Sequence, residues 1–253
     1  MNDSSLLEML KSGVHFGHQT SRWHPKMKQY IYTVRNGVYI IDLEKTAAAI
    51  QVAQKYIQDL VAGGGTILFI GTKRQAKAIV KKAAEEAEMP YLTERWVGGL
   101  FTNFDQVSQM MRKLRTLKGQ NARGELEKYT KKEQLVFQEE VERLEHIVGG
   151  VEQMTALPKA IFVVDTREES TAVREAVRVG IPIIAMVDTN SSPEDVDYVI
   201  PANDDAVKSI KMICYYIVEA CRQGRGIKQA VVAGADHQEK PAETAPAGET
   251  PQA

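Results

Sequence analysis

Between Ile67 and Arg222 this chain alternates short apolar runs with helical stretches, and that alternation leaves few folds open. The runs are Ile67 to Ile70, Pro90 to Thr93 (the poorest), Ala160 to Val164, Pro182 to Val187 and Tyr198 to Ile200. Helical patterns occupy Lys73 to Glu88, Glu168 to Val179 and Asp205 to Arg222, and an alanine-rich one, Lys45 to Ala62, precedes them. A continuously apolar strand has to be covered on both faces, and strands joined through helices run parallel. With right-handed crossovers the expected fold is α/β, a doubly wound sheet of five parallel strands in the order 2-1-3-4-5.

The second and third strands are separated by a segment with its own period. Phe104, Val107, Met111 and Leu114 step by 3, 4 and 3 residues, and Phe137, Val141, Leu144 and Val148 by 4, 3 and 4. Two such seams, separated by the polar stretch Lys118 to Gly124, predict an antiparallel helical coiled-coil hairpin inserted in the sheet domain. Narrow seams favour a hairpin that projects, because a helix packed on a domain shows a wider apolar stripe.

The N-terminal part has a different character. Met9 to Ile41 contains no Asp or Glu, yet it carries five Lys or Arg, three His and five aromatic residues. Tyr30 to Leu43 places Asn36-Gly37 between two β-rich runs, which is a hairpin signal because that turn needs positive φ. Cations interleaved with aromatic rings suit a surface laid against phosphates and unstacked bases. The overall balance, 32 Lys+Arg against 33 Asp+Glu, announces no such partner, so any RNA footprint must be a local patch. The expected division is 1–43 as basic arm and hairpin, 44–103 with 150–226 as α/β domain, 104–149 as inserted hairpin, and 227–253 as a disordered acidic tail. Cys214 and Cys221, seven apart on one helix, lie about 10.5 Å apart, too far for a disulfide. Together with the lack of a membrane span or signal-peptide pattern, this predicts a cytosolic protein.

A doubly wound sheet invites a nucleotide site at the carboxyl ends of its strands. Gly71-Thr72-Lys73-Arg74 has one glycine where a dinucleotide fingerprint wants three, and there is no P-loop pattern. The strand ends instead gather Glu94, Asp165, Asp188, Asp204 and Asp205. Two assignments stay open for that edge. The carboxylates cap helices and close turns. Alternatively, Asp188 with Asp204 or Asp205 holds a divalent metal such as zinc, completed by His15 or His18 if the arm docks there. The functions that follow are a metal-dependent enzyme at this edge, a coiled-coil adaptor using the hairpin alone, or an RNA-binding protein. The residues themselves assemble no catalytic constellation.

Several ordered blocks carry a resemblance. His15-Phe16-Gly17-His18, Trp23-His24-Pro25-Lys26-Met27, Arg35-Asn36-Gly37, Phe69 to Ala76, Arg95 to Asn103, Val187 to Asn190 and Pro201 to Asp205 are similar to the bacterial-type second protein of the small ribosomal subunit. The likeness runs from about Leu6 to Arg225. It implies a non-enzymatic, flavodoxin-like RNA-binding protein that needs no cofactor and sits between head and body of the subunit. It also implies contacts with small-subunit rRNA and neighbouring proteins, and a role in docking the large first-numbered mRNA-binding protein. No membrane or small-molecule substrate is implied. Lys11, Arg22, Lys26, Lys28, Arg35, Lys73, Arg74 and Arg95 are then the candidate phosphate contacts. Trp23 offers a stacking face, and His15, His18 and His24 are candidate RNA hydrogen-bonding groups. Trp96 is expected to anchor the hairpin root, with Asn103 or Thr102 capping its first helix.

Overall fold

The structure is a computed structural model that describes residues 3–236, with side chains over 6–229. Helix α1 (Asp3–Ser12) leads into β1 (Phe16–Gln19), two short 3-10 turns at Thr20–Arg22 and Pro25–Tyr30, and the hairpin β2 (Ile31–Arg35) and β3 (Val38–Ile41). These strands form a small antiparallel sheet in the order β1-β3-β2. Asn36 and Gly37 both take positive φ, 51° and 74°, the geometry a tight two-residue hairpin turn requires.

Helix α2 (Leu43–Ala62) starts where Asp42 accepts hydrogen bonds from the amides of Glu44 and Lys45. The main sheet comprises β4 (Ile67–Ile70), β5 (Tyr91–Leu92), β6 (Ala160–Val164), β7 (Ile183–Val187) and β8 (Tyr198–Pro201). All its pairings are parallel and its order is β5-β4-β6-β7-β8, which is 2-1-3-4-5 counted along the main sheet. The remaining helices are α3 (Lys77–Glu86), α4 (Phe104–Ala122), α5 (Lys131–Val148), α6 (Ser170–Val179) and α7 (Val207–Asp236).

Alternate residues of each strand feed opposite cores. Ile67, Phe69, Phe162, Val164 and Met186 pack with α2, α3 and α7. Leu68, Ile70, Ile161, Val163 and Val187 pack with α6 and with the base of α4 and α5. The N-terminal residues belong to both layers. Met9 and Val14 lie in the first core and Met27 in the second, each fully buried. Burying each such side chain is worth about 1.5–3 kcal/mol, so the chain before α2 is anchored on both sides of the sheet.

Three boundaries differ from expectation. Helix α3 starts at Lys77 instead of Lys73, because Lys73 is drawn into the strand-end carboxylates described below. The polar stretch at Lys118 does not interrupt the first hairpin helix. Helix α4 runs through it to Ala122, burying Leu117 as a further seam residue, and the chain turns at Gly124, whose φ is +70°. Helix α7 passes Arg222 and continues to Asp236, so residues 227–236, expected in the tail, are helical. The glycines there do not stop it, because Gly224 is where α7 meets α2. A Cβ at Gly224 would sit 2.7 Å from the Gln58 carbonyl oxygen and 2.9 Å from Val61 Cβ. The rest of the expected tail, 237–253, lies outside the described residues.

Among the hairpin seam residues Val107, Met111, Leu114, Leu144 and Val148 are buried, and Phe104, Phe137 and Val141 are half-buried against them. Ion pairs Lys113–Glu140 (2.6 Å) and Lys118–Glu145 (3.0 Å) cross between α4 and α5 beside the seam. Among the described residues no helix is long and apolar enough to cross a membrane.

Gly224→Ala is expected to destabilise the protein by about 1–3 kcal/mol in chemical denaturation through overpacking. That sign is opposite to the gain of about 1 kcal/mol that alanine brings to an open helix position.

Candidate nucleic-acid interface

The carboxyl ends of the main strands carry an ionic cluster that the N-terminal segment closes. Lys73 leaves β4 and places its Nζ 2.6 Å from Asp204, 2.6 Å from Asp205 and 3.3 Å from Asp165. Asp204 and Asp165 are buried. His18, from β1, stands between Asp188 and Asp205, with ring nitrogens 3.2 Å from each. Its backbone N–H donates to Thr189 Oγ1 at 2.8 Å, and the His24 N–H donates to the Thr189 carbonyl at 2.7 Å. Asn203 N–H donates to the Val14 carbonyl at 3.0 Å. Gly17 allows this close approach, since a Cβ there would lie 2.6 Å from Thr189 Cγ2.

Charge in the cluster is uneven: four carboxylates face one ammonium and one imidazole. Burial, reinforced by the charges of Asp165 and Asp188, raises the Asp204 pKa to about 7 against the pull of Lys73. Burial alone would lower the Lys73 pKa, but hydrogen bonds to Asp204 and Asp205 and the Asp165 charge raise it above its ordinary value. The Asp188 hydrogen bond raises the His18 pKa; burial opposes this and the surrounding aspartate charges add to it. A proton shared with Asp204 thus relieves the excess negative charge near neutrality.

Of the two assignments left open for this edge, the capping one describes Asp165, whose Oδ1 accepts from the amides of Arg167 (2.9 Å) and Glu168 (3.4 Å). The start of α7 is capped by Asn203, through the amides of Asp205 and Ala206, and not by either aspartate. The positive charge that the alternative gave to a divalent ion is supplied by Lys73. Among the described residues no group of three or more His, Cys, Asp or Glu is arranged to hold a metal. His15 stays apart from the cluster, packed on Phe16 at 4.1 Å with a pKa lowered by burial.

The candidate RNA contacts separate into two sets. Lys73, expected among them, is spent internally. Lys26 pairs with Glu194, and His24 caps the second 3-10 turn through Nδ1, which accepts from the Lys26 amide at 3.3 Å. Trp23 is half-buried, its ring 5.1 Å from that of Tyr39. Lys11, Arg22, Lys28, Arg35, Arg74 and Arg95 are exposed, and none pairs with a carboxylate among the described residues. Lys28 lines an open cleft of about 820 Å³ beside Tyr30, Val52 and Tyr198.

A residue that sequence reasoning missed holds the root of the hairpin. Glu175, on α6, accepts from Trp96 Nε1 (2.9 Å), from the amides of Gly99 (2.8 Å), Phe101 (3.2 Å) and Thr102 (3.3 Å), and from Thr102 Oγ1 (3.2 Å). Burial opposes its charge, yet these five donors hold its pKa below the usual carboxylate range. Asn103 occupies the N-cap of α4 without a side-chain cap bond, and its carbonyl accepts from the Gln106 amide at 3.2 Å, while Glu175 holds the amides of the loop just before the helix. Gly99, at φ +86°, provides the turn. No local motif announces Glu175; only the fold brings α6 beside residues 96–102.

The family model described as Ribosomal protein S2 matches residues 9–224. Small ribosomal subunit protein uS2 of Roseiflexus castenholzii is 48% identical over 229 residues, 90% of this chain and 87% of that one. The protein of that name from Dehalococcoides mccartyi is 47% identical over 220 residues, 87% of this chain and 90% of that one. Its counterpart in Coprothermobacter proteolyticus is 46% identical over 234 residues, covering 92% and 87%.

Two outcomes follow from the cluster and the clamp. Asp204 binds a proton more readily folded than unfolded, and so does His18. Both therefore favour the folded state at low pH and lose that contribution as pH rises through their raised folded values. The Asp204 contribution to thermal stability should be lost between about pH 4 and 7, and Asp204→Asn should flatten that fall. Glu175→Gln should cost about 1.5–3 kcal/mol and expose the Gly99, Phe101 and Thr102 amides to hydrogen exchange.

Proposed function

The chain belongs to the ribosomal protein S2 family, and from that premise we infer how it serves the small subunit. The family is structural and not enzymatic, so the metal-dependent enzyme raised by the acidic edge is set aside. The protein's place is in the bacterial small ribosomal subunit, in the cytoplasm, where it supports translation among rRNA and other ribosomal proteins.

We propose that residues 1–43 form an rRNA-facing arm carried by the α/β platform of residues 44–103 and 150–226. The observation that carries this reading is the separation of charge. The platform's acidic edge is paired with Lys73 from the platform and His18 from the arm, while Arg22, Lys28 and Arg35 are left exposed along a stretch without a single acid from Met9 to Ile41. Phosphate contacts of this kind position a protein on RNA without reading its sequence. Trp23 and the aromatic residues beside it offer stacking faces at the same surface.

In this reading the protein lies between head and body of the subunit. The protein as a whole stands among neighbouring small-subunit proteins and supports docking of the large first-numbered mRNA-binding protein, and the seam of Val107, Met111, Leu114, Leu144 and Val148 holds the hairpin of residues 104–149 together. Lys113 and Lys118 hold the two helices together by ion pairs, while Arg112, exposed, and Arg115, half-buried, pair with no carboxylate among the described residues. No cofactor is required for any of this. A hairpin acting alone as an adaptor would leave the exposed cations of the arm without a purpose.

The test is a charge reversal that spares the internal pairs. Arg22→Glu with Lys28→Glu should weaken rebinding to small subunits lacking this protein by tenfold or more and lower the salt slope by about 2. Its thermal unfolding should match that of the parent chain. Rebinding at parental affinity with parental salt dependence would remove the arm from the interface.

A further inference from the structure

Helix α6 spends its acids inward and its bases outward. Glu169, buried at its start, accepts from the Thr72 amide at 2.7 Å and so fastens the loop that carries Arg74. Glu175 fastens the loop that follows Arg95 through the five donors already described. Ala172, Val173 and Ala176 fill the core beneath. Arg167, Arg174 and Arg178 remain exposed, and none pairs with a carboxylate among the described residues. Arg174 hydrogen-bonds only back to its own helix, at the Ser170 carbonyl and Thr171 Oγ1. The single exposed acid in this stretch is Glu168.

Three of these arginines follow neighbouring strands at the carboxyl edge of the sheet. Strands β5, β4 and β6 are adjacent, and Arg95, Arg74 and Arg167 each lie three or four residues past the end of one of them. Arg174 and Arg178, at i and i+4, extend the line along the helix. Guanidinium groups held without acidic partners on a rigid helix and two fastened loops suit phosphate oxygens, which they can grip in a bidentate way.

We propose that the outward face of α6, with Arg167, Arg174 and Arg178 continued by Arg74 and Arg95, is a second rRNA phosphate-binding surface, separate from the N-terminal arm. It rests on the rRNA-binding reading above and adds residues to it. The arm supplies contacts from a segment laid over the strand ends, whereas α6 supplies them from the body of the domain. Glu169 and Glu175 are positioning residues for this surface, acting through the loops they hold.

The full-length chain carrying Arg167→Gln, Arg174→Gln and Arg178→Gln should rebind small subunits lacking this protein at least tenfold more weakly. Its slope of log affinity against log salt should fall by about 2–3. Glu168→Gln should change affinity the other way and tighten binding, a gain that no folding defect would produce. The arm variant Arg22→Glu with Lys28→Glu, run in parallel, separates the possible failures. If the arm variant weakens binding while the α6 variant and Glu168→Gln match the parent chain, the α6 surface is wrong and the arm reading stands. If neither set alters affinity or salt slope, both fall. Weaker binding of the α6 variant with an unchanged salt slope would mean that this face meets a protein and would overturn its assignment to phosphate.

Discussion

The structure depends on a charge problem at the carboxyl edge of its sheet. Parallel strands bring Asp165, Asp188, Asp204 and Asp205 together where a doubly wound fold ordinarily offers a ligand site. Uncompensated, buried carboxylates at such spacing would be costly. Lys73 answers three of them from within the domain, and His18 answers two from the N-terminal segment. That second answer ties the arm to the platform, with Met9 and Val14 sealing one side of the edge and Met27 the other. A place that other proteins of this architecture use for a ligand is here closed by the protein's own chain.

Closing the edge has a consequence for what stays available outside. Cations used for cohesion are turned inward or paired: Lys73 in the cluster, Lys26 with Glu194, Lys113 and Lys118 across the hairpin. Those left over form surfaces that no acid of the described chain neutralises. In a protein with near-zero net charge, this partition makes an RNA footprint possible without a basic composition. Glu175 does comparable work at the hairpin root, where one carboxylate gathers three backbone amides, an indole and a hydroxyl and so fixes how the chain leaves the sheet.

Much of the scaffold is legible in the residues alone. Runs such as Ala160 to Val164 are apolar at every position because both faces of β6 are covered, and Asn36-Gly37 specifies its turn through positive φ. What sequence reasoning misjudged depends on contacts between distant segments. Lys73 looks like a helix-start cation until the fold brings Asp204 and Asp205, far along the chain, to its ammonium. The last helical pattern looks finished at Arg222 until α2 is seen to pack on Gly224. Glu175 carries no local signal, since its partners lie more than seventy residues away. Local pattern reads periodicity and turns well, whereas ion-pair partners and close helix contacts are properties of the assembled domain.

The most direct measurement is sedimentation of this chain with small ribosomal subunits from cell lysate, across gradients of increasing salt. Co-migration at low salt, with the chain released progressively as salt rises, is the result expected of a subunit protein held chiefly through phosphate contacts. A chain that stays at the top of the gradient at every salt concentration, or one that stays bound regardless of salt, would contradict that account.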